Sequence, residues 1–255
     1  MSKANQVKFE FDGISKVFRH LKPVEALKDL NFQIGEKEFL CILGPSGCGK
    51  STALNLLAGF IHPSSGEVRL NGRPIQGPGP DRGVVFQRHS LFPWKTIRAN
   101  IEFGLRMRRV PRDARRETVD RYLKEMELTD FAESYPFELS VGMQQRVGLA
   151  RAYANNPSVL LMDEPFASLD ALTALRMREL LLGLWTENPK PVLFVTHDVD
   201  EAILLADRVL VFSSAPGSVR EEIRIDLPRP RPRQVTVEPR YTDVRKRLLD
   251  LVLQE

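Results

Sequence analysis

Cysteine is scarce in this chain of 255 residues. Cys41 and Cys48 are the two present, too few for a disulfide framework, and they flank a Gly-rich turn. A reduced, cytoplasmic setting is therefore expected. Long apolar runs are also missing. No stretch is long enough to cross a bilayer, and the start, MSKANQVKFEFDG, has no apolar run of the kind a secretory leader needs. A role at a membrane would thus require a partner that holds the chain there. The net charge of +4 is mild; it permits contact with nucleotides, nucleic acid or anionic lipid and demands none. Internal repeats and long low-complexity tracts are absent. What remains, 42% hydrophobic and 27% charged residues, suits a soluble globular chain that can bury one large core, or a core plus a subdomain.

The apolar spacing changes twice along the chain. The first third reads mostly as strands: VKFEF alternates, LKDLNFQI does so less cleanly, and GEVRLNG ends in an Asn-Gly turn. EFLCIL (38–43) is nearly all apolar and suits a strand covered on both faces. A helix is expected over KSTALNLLAGF, with Leu54, Leu57 and Ala58 on one face and Gly59 near its end. From about 91 to 157 the spacing turns helical, in TIRANIEFGLRMRRV, RDARRETVDRYLKEMEL and SVGMQQRVGLARAYANN, with Arg-rich outer faces. Strands SVLLMD, PVLFVTH and DRVLVF then alternate with helices LTALRMRELLLGLW and VDEAILLAD, and Asp198 with Glu201 suggests a capping box for the latter. The expected class is α/β, a mixed sheet core with an N-terminal antiparallel part and an inserted α-helical subdomain. The expected limits are 1–90 and 158–225 for the core, 91–157 for the insert and 226–255 for a basic tail. In that tail LPRPRPR (227–233) reads as a stiff, solvated linker before a last amphipathic helix, YTDVRKRLLDLVL; contact with lipid headgroups is the other reading.

One stretch poses a problem. VLLMDEP runs four apolar residues straight into two carboxylates, Asp163 and Glu164, and burying such a pair without a positive partner is costly. The partner is suggested by GPSGCGKST, Gly44 to Thr52, which follows a strand, precedes a helix and matches G-x-x-x-x-G-K-[ST], the P-loop. Its members are Gly44, Pro45, Ser46, Gly47, Cys48, Gly49, Lys50, Ser51 and Thr52. Backbone N–H groups can wrap a β-phosphate there, and the helix N-terminus adds partial positive charge. Lys50 would reach the β- and γ-phosphates and the Ser51 hydroxyl would ligate Mg²⁺. Asp163 then serves the Mg²⁺ in the Walker B manner, and Glu164, directed to the other side of an extended chain, polarises the attacking water. A Gly-rich turn that binds nothing, or a solvated acidic pair, is the plainer alternative for each motif alone. The pairing of the two favours a nucleoside triphosphatase of the P-loop (RecA-like) fold.

The guanine-reading run N-K-x-D is absent, which argues against a GTPase. Instead the order VVFQ, ELSVGMQQRVGLARA, LLMDEP, SLD and VTHD closely resembles the ATP-binding subunit of ATP-binding cassette (ABC) transporters over nearly the whole chain. The resemblance implies ATP and Mg²⁺ as the bound species. It makes Gln87 a sensor of the metal and the attacking water, and His197 the switch residue at the γ-phosphate. Ser140 and Gly142 of LSVGM, with Asp170 of SLD, would face the ATP of a second subunit, in a head-to-tail homodimer or with a close paralogue. Phe18 falls where the family stacks an aromatic ring on adenine, although a core role is equally open. LSVGM departs from the usual Leu-Ser-Gly-Gly-Gln at Val141 and Met143, which puts the rate of turnover in question more than the site.

Leu91, Phe92 and Trp94 of LFPW resemble the groove that receives a cytoplasmic helix of the transmembrane subunit; filling the insert's own core is the alternative. The tail SSAPGSVREEIRIDLPRPRPR looks like the nitrate/sulfonate/taurine branch of bacterial importers. That branch implies permease subunits, a solute-binding protein reached through them, no nucleic acid, and a peripheral place on the cytoplasmic face of the inner membrane. The rivals are a soluble cassette ATPase acting on nucleic acid or ribosomes, whose paired cassettes or long coiled coil are not seen, and a P-loop kinase, which leaves LSVGM, Gln87 and His197 unexplained.

Overall fold

The computed structural model describes residues 7–19, 22–87 and 90–253. The chain divides into two compact units, 1–79 with 189–255, and 80–188. The expected limits of the helical insert, 91–157, lie inside the second.

In the first unit the alternating VKFEF opens β1 (Val7–Arg19), which pairs antiparallel with β2 (Pro23–Gly35). The alternation buries Phe9 and Phe11, and Phe11 stacks on Phe32 of β2 with ring centroids 4.2 Å apart. All five residues of β3 (Phe39–Leu43) are buried, as an unbroken apolar run requires. After the Gly-rich turn comes α1 (Lys50–Ala58), burying Leu54, Leu57 and Ala58 and ending on Gly59 with φ 77°. The N–H of Gly59 and that of Phe60 return to Leu56 O and Asn55 O, which satisfies two of the helix's last carbonyls. Then β4 (Ser65–Leu70) turns through Asn71 and Gly72 into the short β5 (Arg73–Pro74), completing an antiparallel sheet of order β2-β1-β4-β5.

The second unit begins with β6 (Arg82–Val85) and continues through α2 (Ile97–Met107), α3 (Arg112–Glu125) and α4 (Val141–Ala154). It closes with β7 (Val159–Asp163), parallel to β6, and α5 (Ala171–Glu187). The three helices turn Ile97, Ile101, Leu105, Val119, Leu123, Val147 and Leu149 inward. Their arginines form ion pairs at the rim, such as Arg98 with Asp120 (2.6 Å) and Arg115 with Glu102 (2.7 Å).

Back in the first unit, β8 (Val192–Thr196) lies parallel to β3, and α6 (Val199–Leu205) follows it. The next strand, β9 (Arg208–Phe212), runs parallel to β3 on its other side. The antiparallel β10 (Val219–Arg224) borders β9, and α7 (Pro239–Leu253) ends the described chain. The architecture is therefore mixed α/β. Among the described residues no helix is long and apolar enough to cross a membrane.

Two local expectations are corrected. Asp198 does cap α6, accepting from the Glu201 N–H at 3.0 Å, but the Glu201 carboxylate accepts the Thr196 hydroxyl at 2.6 Å, and the Asp198 N–H donates to that same hydroxyl. Thr196 thus stands where a reciprocal box was expected. The run 227–233 is not a solvated linker either: Leu227 and Arg231 are buried. The last carbonyls of a helix need outside donors, and α6 takes them from this run. Arg231 donates to Ile203 O and Ala206 O, and to Leu227 O and Ile225 O; Arg229 donates to Leu205 O and to Asp207. Proline cannot donate, so the Pro-Arg alternation leaves the guanidinium groups as the donors. Farther on, Tyr241 and Arg245 of α7 both donate to Asp200 in the first turn of α6 (2.7 and 2.8 Å).

Candidate active site

The Gly-rich turn is shaped from below. Gly49 has φ 96°, and a Cβ there would lie 2.6 Å from Ala26 O and from Leu27 Cδ2. A side chain is excluded twice, by backbone conformation and by space. Ser46, Gly47 and Ser51 are exposed, while Cys48 and Lys50 are buried. The first turn of α1 carries no acidic residue, and its N-cap, Gly49, offers no side chain to cap it. An exposed turn at an uncapped helix N-terminus favours an anion. Lys50 folds back over this turn, its ammonium donating to Gly44 O (2.9 Å) and Pro45 O (2.8 Å).

The parallel register then sets which groups share an edge. Leu43 of β3 is paired with Thr196 of β8, so Gly44 and His197 leave adjacent strands at the same carboxyl end. That edge is where open α/β sheets bind ligands. His197 is exposed there, one residue beyond its strand. In the second unit, Val85 of β6 is paired with Met162 of β7, so Gln87 and the Asp163–Glu164 pair also leave from one edge. Gln87 is exposed; Asp163 and Glu164 are half-buried. Glu164 requires a correction. Its φ is +43°, so the chain turns out of the strand at this residue instead of running extended through it. Its direction follows from a left-handed bend, not from strand alternation.

Ser140 caps α4, accepting from the Met143 N–H at 3.3 Å, as its residue type leads one to expect. Asp170 caps α5 in the same way, with Leu172 and Thr173. Val141 is 45% exposed, and Gly142 is half-buried beside Thr173. Phe18 is half-buried on β1, with the Lys16 ammonium 5.1 Å from its ring centroid. Cys41 and Cys48 are buried and are not joined in a disulfide. Burial, and then the charge of Glu201, pushes the Cys41 thiol well above its usual range.

A family model described as ABC transporter matches residues 27–167. The chain belongs to the ABC transporter family. It is 45% identical to the nitrate import ATP-binding protein NrtD of Synechococcus elongatus, over 95% of this chain and 90% of that protein. It is 45% identical to the taurine import ATP-binding protein TauB of Roseobacter denitrificans, over 90% and 87%. The structure resembles the dimeric post-hydrolysis form of the ATP-binding cassette MJ0796 bound to ADP and Pi, with a TM-score of 0.76 and 34% identity, covering 86% of this chain and 99% of that one.

Within this ABC chain the LFPW stretch divides between its two expected readings. Phe92 packs on Phe103 (centroids 4.6 Å apart) and lies beside Arg151, whereas Trp94 is 71% exposed. Phe92, Phe103, Met107, Arg108 and Arg151 line an open cavity of about 350 Å³. Sequence reasoning missed what holds this segment. Asn100, fully buried in α2, accepts from the Phe92 N–H and donates to the carbonyls of Phe92, Lys95 and Thr96. Arg151 anchors Ser90 through its carbonyl and hydroxyl, each at 2.7 Å. An Asn on the apolar face of an amphipathic helix was the available signal. Thr173 was missed as well; a hydroxyl three residues after a capping Asp was the hint.

Proposed function

We infer that this chain is the ATP-hydrolysing, energy-coupling subunit of an ABC importer, working as a pair of like subunits on the cytoplasmic face of the inner membrane. The observation that carries the reading is the register Leu43–Thr196, which delivers the Gly-rich turn and His197 to one sheet edge. Gly44 to Thr52 cradle the phosphates, and Lys50 exchanges its two loop carbonyls for β- and γ-phosphate oxygens. Phe18 offers a ring face for adenine. Ser51, Gln87 and Asp163 would supply hard oxygen donors, a set suited to Mg²⁺. Mg²⁺, when bound, neutralises charge that develops on the phosphate oxygens.

Glu164 orients and polarises the attacking water, and His197 contacts the γ-phosphate. Ser140 spends its hydroxyl on Met143, so the N–H groups of Val141 and Gly142 at the start of α4 remain directed outward, toward the nucleotide of the second subunit. Asp170 accompanies them. The cavity lined by Phe92, Phe103 and Met107 receives a cytoplasmic helix of the permease. The cargo is a small solute of the nitrate, sulfonate or taurine kind, brought by a solute-binding protein, in line with what the named relatives import. Glu164→Gln tests the reading. ATP hydrolysis should fall at least 100-fold while ATP binding persists and an ATP-dependent dimer accumulates; undiminished turnover would remove Glu164 from the chemistry.

A further inference from the structure

Asp170 and Gly142 sit on different helices, α5 and α4, yet one residue touches both. The Thr173 hydroxyl donates to Asp170 Oδ2 at 2.6 Å, while Asp170 Oδ1 accepts the N–H groups of Leu172 (3.1 Å) and Thr173 (3.0 Å). These bonds, the Thr173 hydroxyl first among them, hold the Asp170 carboxyl below its usual range, so it is an ionised acceptor at neutral pH. On the other side, Thr173 Cγ2 lies so close to α4 that a Cβ on Gly142 would sit 2.7 Å from it. Hydroxyl and methyl leave the same β-carbon, and a β-branched side chain is stiff at χ1. The rotamer that bonds Asp170 is therefore also the one that sets the methyl beside Gly142, and turning the side chain to release Asp170 takes the methyl from that place.

We propose that Thr173 is a positioning residue that locks Asp170 to the glycine of the signature segment, so that both reach the partner's nucleotide as one preassembled piece. The proposal rests on the ABC ATPase reading above. It adds that the half-site offered to the partner is set inside residues 80–188, whatever the state of the chain's own P-loop. Glycine at 142 then has a local cause: any side chain there displaces Thr173 and, through it, Asp170. A merely structural Thr173 would only brace the Asp170 cap of α5 and leave turnover alone.

The test uses the full-length chain and steady-state ATP hydrolysis. Thr173→Val keeps the methyl and removes the hydroxyl. It should lower kcat about tenfold, the worth of one hydrogen bond to a charged acceptor, with KM for ATP within twofold because the P-loop still holds that nucleotide. Gly142→Ala should also lower kcat about tenfold. Adding Thr173→Ser, which removes the methyl that the new Cβ meets and keeps the hydroxyl, should restore at least threefold of that loss. A wild-type kcat in Thr173→Val, a KM that rises in step with the loss, or no rescue in the double variant would each overturn the proposal. If Thr173→Val fails to fold, the rescue decides alone. Turnover that is present in the wild type and abolished by Glu164→Gln tests the ATPase reading separately, so the failure of one is distinguishable from the failure of the other.

Discussion

Replacing Arg231 by Met asks whether the Pro-Arg run is a spacer or part of the core. The side chain is 6% exposed and makes four hydrogen bonds to backbone carbonyls, two of them, Ile203 O and Ala206 O, at the end of α6. Charge-assisted bonds of this type are worth about 1.5 kcal/mol each at the low end, so about 6 kcal/mol is lost in gross terms. Against this, burial pushes the guanidinium down to about 10. That displacement, to which the neighbouring Arg229 charge adds, corresponds to about 3 kcal/mol of unfavourable surroundings that an apolar side chain of similar length does not incur. The net expectation is a destabilisation of about 3 kcal/mol. For a chain of this size it appears as a fall in melting temperature of about 6–12 °C. Hydrogen exchange should accelerate first at the last turn of α6, because those carbonyls are left unpaired. A solvated linker predicts no change in either measurement. An unaltered melting temperature together with unaltered exchange at Leu204–Ala206 would refute the reasoning.

Three further outcomes follow from single contacts. Gly49→Ala places a Cβ 2.6 Å from Ala26 O at φ 96°, so ATP binding measured by titration calorimetry should be lost and the fold weakened by at least about 2 kcal/mol in urea denaturation. Asn100→Leu leaves the N–H and carbonyl groups of the Phe92–Thr96 stretch without their partner; a cost of about 2–4 kcal/mol is expected, with a change in the fluorescence of the neighbouring Trp94. Val141→Gly removes an exposed side chain while keeping its N–H, so ATP hydrolysis should be equal or higher, and a sharp loss would show that the valine is needed.

Much of the fold was legible because its causes are local. Period-two spacing placed Phe9 and Phe11 inside, the unbroken apolar run at 39–43 marked a strand covered on both faces, and Gly59 ended α1 where a left-handed residue was required. The Gly-rich turn was legible for a related reason: the glycine that starts α1 without a side-chain cap stands in the run itself. What was misread depends on partners distant in sequence or on a single dihedral angle. Nothing in LPRPRPR announces the carbonyls at the end of α6, 24 to 28 residues earlier, that absorb its arginines. Glu164 was assigned a direction from strand alternation, which holds only while φ stays extended, and one residue at +43° cancels it. Asp198 kept its half of the expected box, but Thr196 took the other half: its buried hydroxyl donates to the Glu201 carboxylate and accepts the Asp198 N–H.

Two of these misreadings converge on α6, the helix that starts two residues after His197. Its first turn is held by Asp198, with Asp200 gripped by Tyr241 and Arg245 of α7; its last turn is held by Arg229 and Arg231. A helix of seven residues has little stability of its own, so these outside donors and acceptors decide where it begins. The tail therefore fixes the segment from which His197 projects, although it lies thirty residues or more along the chain. Composition alone marked the tail as linker, and physically it belongs to the first unit's core. The C-terminal sequence of this chain is then tied to the sheet edge that carries His197, and basic residues that look interchangeable on paper are not: a lysine at 231 could not reach four carbonyls at once, because a single ammonium lacks the planar fork that spans them.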